Sequence, residues 1–276
     1  MVVTAPSRSQ AGNVTSEARG PANSHTRGDG LALGTSVGKA LAVLDAFRGG
    51  GTLLGVSQIA DRARIPKSTA HRLLSVLVDH NYVDRVDARY QLGRAAFELG
   101  NSLAECRPRN LRSVAIPHMT DLHRSSDATV HLAVLDKMDV LYVEKIYGHH
   151  GVDLPSQIGG RVPALCTALG KAMIAHSDQA TIARALSTHV PRLTVKTMTN
   201  PAILQASLAR ARELGVAHDN EGSSLGAHCV AAPILNPATS TVLGAISLSF
   251  PLTERVAPVL EARLRRAAAC IGAKFT

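Results

Sequence analysis

The chain has 276 residues, and its 30 lysines and arginines outnumber its 21 aspartates and glutamates, which gives a formal net charge of +9 at pH 7. This excess favours a polyanionic partner without identifying it. Hydrophobic residues make up 45% of the sequence, enough for a core in each of two modest domains, so wholesale disorder is excluded. Aromatic residues make up only 3%, so stacking platforms for single-stranded nucleic acid are not expected.

The N-terminal residues 1–34 are rich in Ser, Thr, Gly, Asn and Arg without an apolar period, and we expect them to form a disordered leader. They lack the apolar stretch of a secretory signal. No apolar run in the chain approaches the roughly 20 residues that a transmembrane helix needs. We therefore expect a cytoplasmic protein without a membrane partner. The four cysteines are too widely spaced for a zinc site, and neither a metal nor another cofactor is predicted.

Residues 35–93 predict a small module of three helices and a hairpin. The first helix begins at Ser36, which is its predicted cap. A second helix covers Val56–Arg64, and a third follows Pro66. The third helix carries apolar residues at the spacing of a buried face, namely Ala70, Leu73, Leu74, Leu77 and Val78.

Two strand-like runs, Tyr82–Arg85 and Arg89–Leu92, flank Val86–Ala88 and predict a β-hairpin. The order helix, helix, turn, helix, hairpin is typical of a winged helix-turn-helix, which reads DNA bases with the start of its last helix. Amides at the helix starts suit phosphate oxygens. The candidate DNA contacts lie at the starts of the second and third helices and on the hairpin: Ser57, Gln58, Lys67, Ser68, Thr69, His71, Arg72, Arg85 and Arg89.

The stretch Arg48–Arg94 holds eight Lys and Arg against four Asp, so a large part of the net charge is concentrated there. A solvated face of an ordinary three-helix module would explain a basic helix alone. The coincidence of a short helix, a tight turn, a polar-led helix and a hairpin favours DNA binding instead.

From about Asn110 helical and strand-like runs alternate, which predicts an α+β domain over residues 110–276 with a largely antiparallel sheet. A helix over Gly93–Arg107 is expected to connect it to the first module, with residues 94–109 as the linker, and to act as a lever between them. The predicted helices are Leu111–Arg124, Thr167–His176, Thr181–Ser187, Ala202–Leu214 and Glu254–Cys270. The predicted strands are Thr129–Leu135, Val140–Ile146, Val152–Ile158, Val216–Asp219, Val230–Leu235 and Val242–Phe250.

Several segments resemble those of IclR-type bacterial transcriptional regulators. The segments similar to the winged helix of that family are Thr35–Leu41, Gln58–Ala60 and Ile65–Leu74. Those similar to its effector domain are Gly160–Pro163, Thr167–Ala172, Gly215–Ala217 followed by Asp219, Glu221, Gly226, Cys229 and Ala231–Ile234, and lastly Leu243–Ser249. The resemblance implies an N-terminal winged helix-turn-helix joined by a helix to a GAF-like domain, which binds a small metabolite and thereby modulates the affinity for an operator.

The same resemblance implies an effector pocket made of two backbone amides and four side chains. These belong to Ala168, Leu169, Asp219, Cys229, Ser247 and Ser249. Amides at a helix start suit a carboxylate, so we expect a small organic or aromatic acid. The chain departs from the family pattern at Leu165, where His is common, and at Asn220 and Gly222, where acidic residues are usual. These departures predict a less polar and less acidic pocket.

Other interpretations remain open at this point. Cys229 is also consistent with a small buried apolar side chain, and Asp219 is also consistent with a residue that caps a turn. One alternative is a DNA-binding protein whose C-terminal domain only dimerises. Another is an enzyme in which Cys166 or Cys229 is the nucleophile, with His131, His218 or His228 as the base. No nucleophile elbow surrounds either cysteine. Gly170 and Lys171 are followed by Ala172 and not by the Ser or Thr of a phosphate-binding loop, so an enzyme is not expected. We predict a repressor or activator that binds a near-palindromic operator as a homodimer or dimer of dimers.

Overall fold

The computed structural model describes residues 34–48, 53–105, 111–148, 154, 156–253 and 257–275. Within these ranges the elements form two groups, each with its own antiparallel sheet and its own apolar core. This arrangement confirms the predicted α+β class. The predicted leader lies outside the described residues, apart from Gly34. None of the described helices is both long enough and apolar enough to cross a membrane.

The N-terminal group consists of three helices and a three-stranded sheet with strand order β1-β3-β2. The apolar side of the third helix packs on the other two, as its spacing predicts, and Val43, Ile59 and Leu74 are completely buried. The helices are α1 (Ser36–Asp45), α2 (Val56–Ala63) and α3 (Lys67–Asp79). The strands are β1 (Leu54–Gly55), β2 (Val83–Val86) and β3 (Arg89–Leu92).

The cap of α1 is Thr35, and the prediction of Ser36 was wrong by one residue. The Thr35 hydroxyl accepts a hydrogen bond from the Gly38 amide at 3.0 Å, while Ser36 is already helical. Ser and Thr are both common as helix caps, so the residue type alone does not show which of two neighbouring residues is the cap.

The hairpin between β2 and β3 has a shorter turn than predicted. Val86 pairs with Arg89 inside the sheet, which leaves only Asp87 and Ala88 in the turn. Asp87 has a φ of 54°, as tight two-residue turns require. The third strand, β1, was missed because two residues are too few to display a period.

The turn between α2 and α3 depends on Arg64 and Pro66. Arg64 ends α2 with a φ of 54°, and the Ile65 amide donates to the Ala60 carbonyl at 3.1 Å. Pro66 stands just before the first residue of α3. Its lack of an amide N–H costs little there, because amides at a helix start have no helical hydrogen-bond partner. This turn sets the direction in which α3 leaves α2.

The C-terminal group contains a six-stranded antiparallel sheet with strand order β6-β5-β4-β9-β8-β7. Its strands are β4 (Thr129–Asp136), β5 (Asp139–Ile146), β6 (Arg161–Pro163), β7 (Ala217–Asn220), β8 (Ala227–Leu235) and β9 (Val242–Pro251). Its helices are α5 (Leu111–Ser126), α6 (Ala168–Ala175), α7 (Gln179–Ser187), α8 (Pro201–Leu214) and α9 (Pro258–Gly272). Before them, α4 (Arg94–Glu105) follows β3, and residues 106–110 of the predicted linker lie outside the described ranges.

The two faces of this sheet differ in chemistry because successive strand residues point to opposite sides. On β9, Ile246 and Leu248 belong to the apolar core under α5 and α9. Ser247 and Ser249 therefore lie on the other face, which α6 covers. On β9 this alternation places the two serines in the interior on the α6 side.

The predicted strand Val152–Ile158 is wrong for its described residues, since Leu154 and Ser156–Ile158 form no strand. Proline at position 155 has no amide to donate to a ladder. The carbonyls of Leu154 and Ser156 instead accept hydrogen bonds from Lys145 Nζ, at 3.5 and 2.9 Å. The edge strand is β6, five residues farther along the chain than Ser156.

Candidate functional site

The first turn and a half of α3 forms an exposed polar surface. Lys67, Ser68, His71 and Arg72 are exposed, and Thr69 is half-buried. Within the described chain these five side chains form no hydrogen bond or ion pair, so they are available to a partner. A recognition helix contacts base edges with this end.

The start of α3 also offers backbone amides. No side chain caps this helix, and the first helical hydrogen bond runs from the Ala70 amide to the Pro66 carbonyl at 3.0 Å. The amides of Lys67, Ser68 and Thr69 therefore precede the helical ladder. Such amides, together with the positive end of the helix dipole, suit phosphate oxygens.

Two of the candidate DNA contacts also stabilise the domain itself. Gln58 Oε1 accepts a hydrogen bond from the Gly55 amide at 2.9 Å and closes the start of α2. Arg85 Nε donates to the Asp87 carbonyl at 3.0 Å across the hairpin turn. Ser57 and Arg89 are exposed. The polar surface thus extends from α3 to both flanking elements.

In the C-terminal group, the four predicted effector side chains lie on one face of the sheet. Asp219 is the cross-strand partner of Cys229, which in turn is the partner of Ser249. Cys229 Sγ donates to Ser249 Oγ at 3.1 Å. Ser247 lies two residues from Ser249 and shares its face. The fold brings together residues that are distant in the sequence.

The predicted backbone contribution comes from the start of α6, which packs across β7, β8 and β9. Thr167 caps this helix, and its hydroxyl accepts from the Gly170 amide at 2.9 Å. The amides of Ala168 and Leu169 make no helical hydrogen bond, since the first such bond runs from the Lys171 backbone amide to the Thr167 carbonyl. A Cβ on Gly170 would lie 2.1 Å from the Ala164 carbonyl oxygen, so glycine permits this close approach.

The site contains a buried cation that the sequence reasoning missed. Lys171 on α6 is 1% exposed, and its Nζ lies 2.7 Å from Asp219 Oδ1. The same Nζ donates to the His218 carbonyl at 3.5 Å. The available signal was a single charge within the otherwise apolar helix Ala168–Ala175.

The other oxygen of Asp219 is held by the loop after β7. Asp219 Oδ2 accepts from the Ser223 amide and hydroxyl at 3.2 and 3.4 Å. Thr194 and Thr197 donate to the carbonyls of Glu221 and Gly222, at 2.6 and 2.7 Å, and so anchor this loop. The carboxylate therefore has a fixed orientation.

A histidine borders the same face. His131 is the cross-strand partner of Ser247, its ring centroid lies 5.3 Å from that of Tyr142, and its Nε2 lies 2.8 Å from Ser156 Oγ. Burial, assisted by the positive charge of Lys145, lowers the pKa of His131 to about 3. Burial, with smaller effects from Cys229 and Asp219, raises the pKa of Tyr142. Both rings are therefore uncharged at pH 7.

Comparisons with known proteins decide the family. A profile described as the IclR helix-turn-helix domain matches residues 36–87, and one described as bacterial transcriptional regulator IclR C-terminal matches residues 104–272. Together the two profiles match most of the sequence. The chain belongs to the IclR family of bacterial transcriptional regulators.

Individual IclR-family relatives agree with this assignment. The HTH-type transcriptional regulator XynR of Escherichia coli strain K12 is 36% identical over 224 residues, which are 80% of this chain and 87% of XynR. The crystal structure of an IclR homologue from Microbacterium hydrocarbonoxydans, complexed with 4-hydroxybenzoate, has a TM-score of 0.77 at 30% identity and covers 87% of this chain and 99% of that chain. Thermotoga maritima IclR has a TM-score of 0.70 at 28% identity, with coverages of 86% and 97%.

Family membership confirms the prediction that the chain is a regulator and not an enzyme. The thiols agree with this conclusion. Burial, with a smaller effect from Asp219, raises the pKa of Cys166 to about 12. Burial also raises the pKa of Cys229 to about 12. A nucleophilic cysteine requires the thiolate, which neither residue forms at pH 7.

Leu165, where the IclR family commonly has His, lies in the 3₁₀ turn before α6. It borders a small cavity of about 30 Å³, which is lined by apolar residues such as Ile174 and Val190 and also by Thr188 and His189. A cavity of this size holds about one water molecule. None of the predicted effector residues lines this cavity.

Proposed function

We propose that this IclR-family regulator binds a near-palindromic operator through α3 and that a small organic acid, bound between α6 and strands β7, β8 and β9, changes its affinity for the operator. The observation that carries the proposal is the convergence of Asp219, Cys229, Ser247 and Ser249 on the one sheet face that the start of α6 covers. A site for a small acid needs this combination of hydroxyls and free helix-start amides.

The DNA half of the proposal is supported by exposure and charge. Lys67, His71 and Arg72 are exposed on α3, beside uncapped amides. Arginine pairs well with guanine, and serine or threonine can contact base edges or phosphates. Two copies of the chain would place two such helices in successive major grooves, since two-fold proteins bind two-fold sites.

The acid half is supported by the positive potential at the start of α6. The amides of Ala168 and Leu169 and the dipole of the helix favour an anion, while the hydroxyls of Ser247 and Ser249 can orient it. The IclR homologue from Microbacterium hydrocarbonoxydans was crystallised with 4-hydroxybenzoate. An aromatic acid is therefore a suitable first probe for this chain.

The test uses the full chain and operator DNA selected by the protein from a random library. The dissociation constant of the complex between protein and operator is measured with and without 4-hydroxybenzoate, pyruvate and other acids. Coupling between two sites is typically about 1–3 kcal/mol, so we expect at least one acid to change the constant by roughly 5–150-fold.

The matched control is the double variant Ser247→Ala and Ser249→Ala, which removes two hydroxyls from the site and leaves α3 intact. It should bind the same operator and lose the response. Failure to select any DNA would refute the DNA half. Selection of an operator without a response to any acid would instead favour a C-terminal domain that only dimerises.

A further inference from the structure

The charges inside the effector site nearly cancel. Lys171 and Asp219 are 1% and 2% exposed and form an ion pair with each other. Among the described residues, His131, Tyr142, Cys166 and Cys229 also lie around this pair, and each is uncharged at pH 7 because burial shifts its pKa toward the neutral form. Of these described groups only Lys171 and Asp219 carry a charge, one positive and one negative, and the start of α6 adds a partial positive charge.

Lys171 is placed where it can touch the ligand as well as Asp219. Side chains on a helix lean toward its N-terminus, so we expect the Lys171 stem to run back toward the turn that carries the amides of Ala168 and Leu169. An ammonium has three N–H groups. Among the described residues its acceptors are Asp219 Oδ1 and the His218 carbonyl, which leaves one N–H for a ligand oxygen.

Asp219 is less available than Lys171. One of its oxygens faces the Lys171 ammonium, and the other accepts from Ser223. The loop that carries Ser223 is anchored in turn by Thr194 and Thr197. Asp219 thus acts as the fixed counter-charge of Lys171.

We propose that Lys171 is a ligand-contacting residue of the effector site, and that its pairing with Asp219 makes the site select acids with a single negative charge. The inference rests on the proposed function, in which this site binds a small acid. A monoanion is matched by the partial charge at the start of α6 and the free N–H of Lys171. A second carboxylate would be desolvated without a partner, and a neutral amide would leave the positive end of α6 unused.

The first experiment varies the charge of the probe at constant shape. Binding to the full-length protein is measured by calorimetry for 4-hydroxybenzoate and its neutral analogue 4-hydroxybenzamide. It is also measured for terephthalate, a dianion, and for 4-nitrobenzoate, a monoanion of similar shape to terephthalate. Each monoanion should bind at least about tenfold more tightly than its matched neutral or dianionic analogue.

The second experiment varies the charge of the protein. Asp219→Asn leaves the positive charge of Lys171 in excess, so the preference should move toward terephthalate. Lys171→Met leaves the negative charge in excess, so the preference should move toward 4-hydroxybenzamide. The double variant Lys171→Met and Asp219→Asn is neutral again, so it should still prefer monoanions but bind them more weakly than the wild type, because the N–H of Lys171 is lost. An unchanged affinity of this variant for monoanions would contradict the contact, even if a single variant fails to fold.

The outcomes separate this inference from the proposed function. Equal affinities of the wild type for matched monoanion, amide and dianion would overturn the inference and leave the effector site in place. The inference is also overturned, with the effector site left in place, if neither single variant changes the order of preference. A wild type that binds none of these probes, nor any other acid in the panel, would overturn the proposed acid effector and this inference together.

Discussion

Two polar regions of this regulator face opposite surroundings. The polar residues of α3 lie on the surface, where Lys67 and His71 are exposed. Those under α6 lie in the interior, where Lys171 and His131 are 1% and 2% exposed. The same residue types therefore serve two purposes: exposed groups stay hydrated until a large partner arrives, whereas buried groups must find partners within the fold.

This contrast explains why the two regions should tolerate change differently. A side chain on the surface of α3 can be replaced with little effect on the stability of the fold, because water solvates it in both states. A group in the interior site depends on partners fixed by β7, α6 and the loop that holds Asp219. Pairs of matched substitutions test this contrast directly.

The largest expected effect comes from the two lysines. Lys171→Met should lower the free energy of unfolding by about 3–5 kcal/mol at pH 7, because it leaves the Asp219 carboxylate buried without its cation. Lys67→Met removes the same charge from an exposed position and should cost less than about 0.5 kcal/mol. Urea unfolding of both variants measures the difference. Equal losses would contradict the assignment of Lys171 to a buried pair.

The buried His131 should make the stability of the fold depend on pH. The folded pKa of His131, about 3, lies below its ordinary value of 6.5, so the unfolded chain binds the proton first as the pH falls. The contribution of the neutral His131 to the free energy of unfolding is complete above pH 6.5 and is lost between pH 6.5 and 3. The loss is about 1.4 kcal/mol per pH unit, or roughly 2 kcal/mol by pH 5.

Unfolding measured between pH 6.5 and pH 5 checks this expectation, since most carboxylates remain ionised in that range. His131→Gln should flatten the slope, whereas Ser68→Ala on α3, which removes no titratable group, should leave it unchanged. If the wild type and His131→Gln lose stability in parallel, His131 is not the group responsible.

The sequence predicted the DNA-binding half well because its signals are local. The spacing of Ala70, Leu73 and Leu74 defines the buried side of α3 without reference to the rest of the chain. The polar residues left over on α3 are exposed, as expected from that spacing. What was missed there, the strand β1, has only two residues and shows no period.

The effector half was predicted less fully because its key contact is not local. Lys171 and Asp219 are 48 positions apart, and nothing near either residue in the sequence indicates that they pair. Asp219 and Cys229 entered the prediction through family resemblance, and the face they share became evident only from the strand register. Burial of a charge is a property of the assembled fold.

Arg72 should matter for DNA and not for folding. Arg72→Ala should weaken binding to the selected operator by about 1–3 kcal/mol if the guanidinium contacts a base. Arg210→Ala, an exposed arginine on α8, should leave the operator affinity unchanged. Fluorescence anisotropy with operator and random DNA measures both. An equal loss on the two DNAs would reassign Arg72 to a phosphate.

The smallest effect is expected for an ion pair that is exposed. Arg94 Nε lies 3.3 Å from Glu98 Oε1 on α4, with the two side chains 79% and 64% exposed. Exposed pairs gain little because water already solvates both charges, and a basic residue in the first turn opposes the helix dipole. Arg94→Ala should therefore change the free energy of unfolding by less than about 0.5 kcal/mol, in either direction. A loss as large as that of Lys171→Met would mean that geometry, and not burial, determines what an ion pair contributes in this protein.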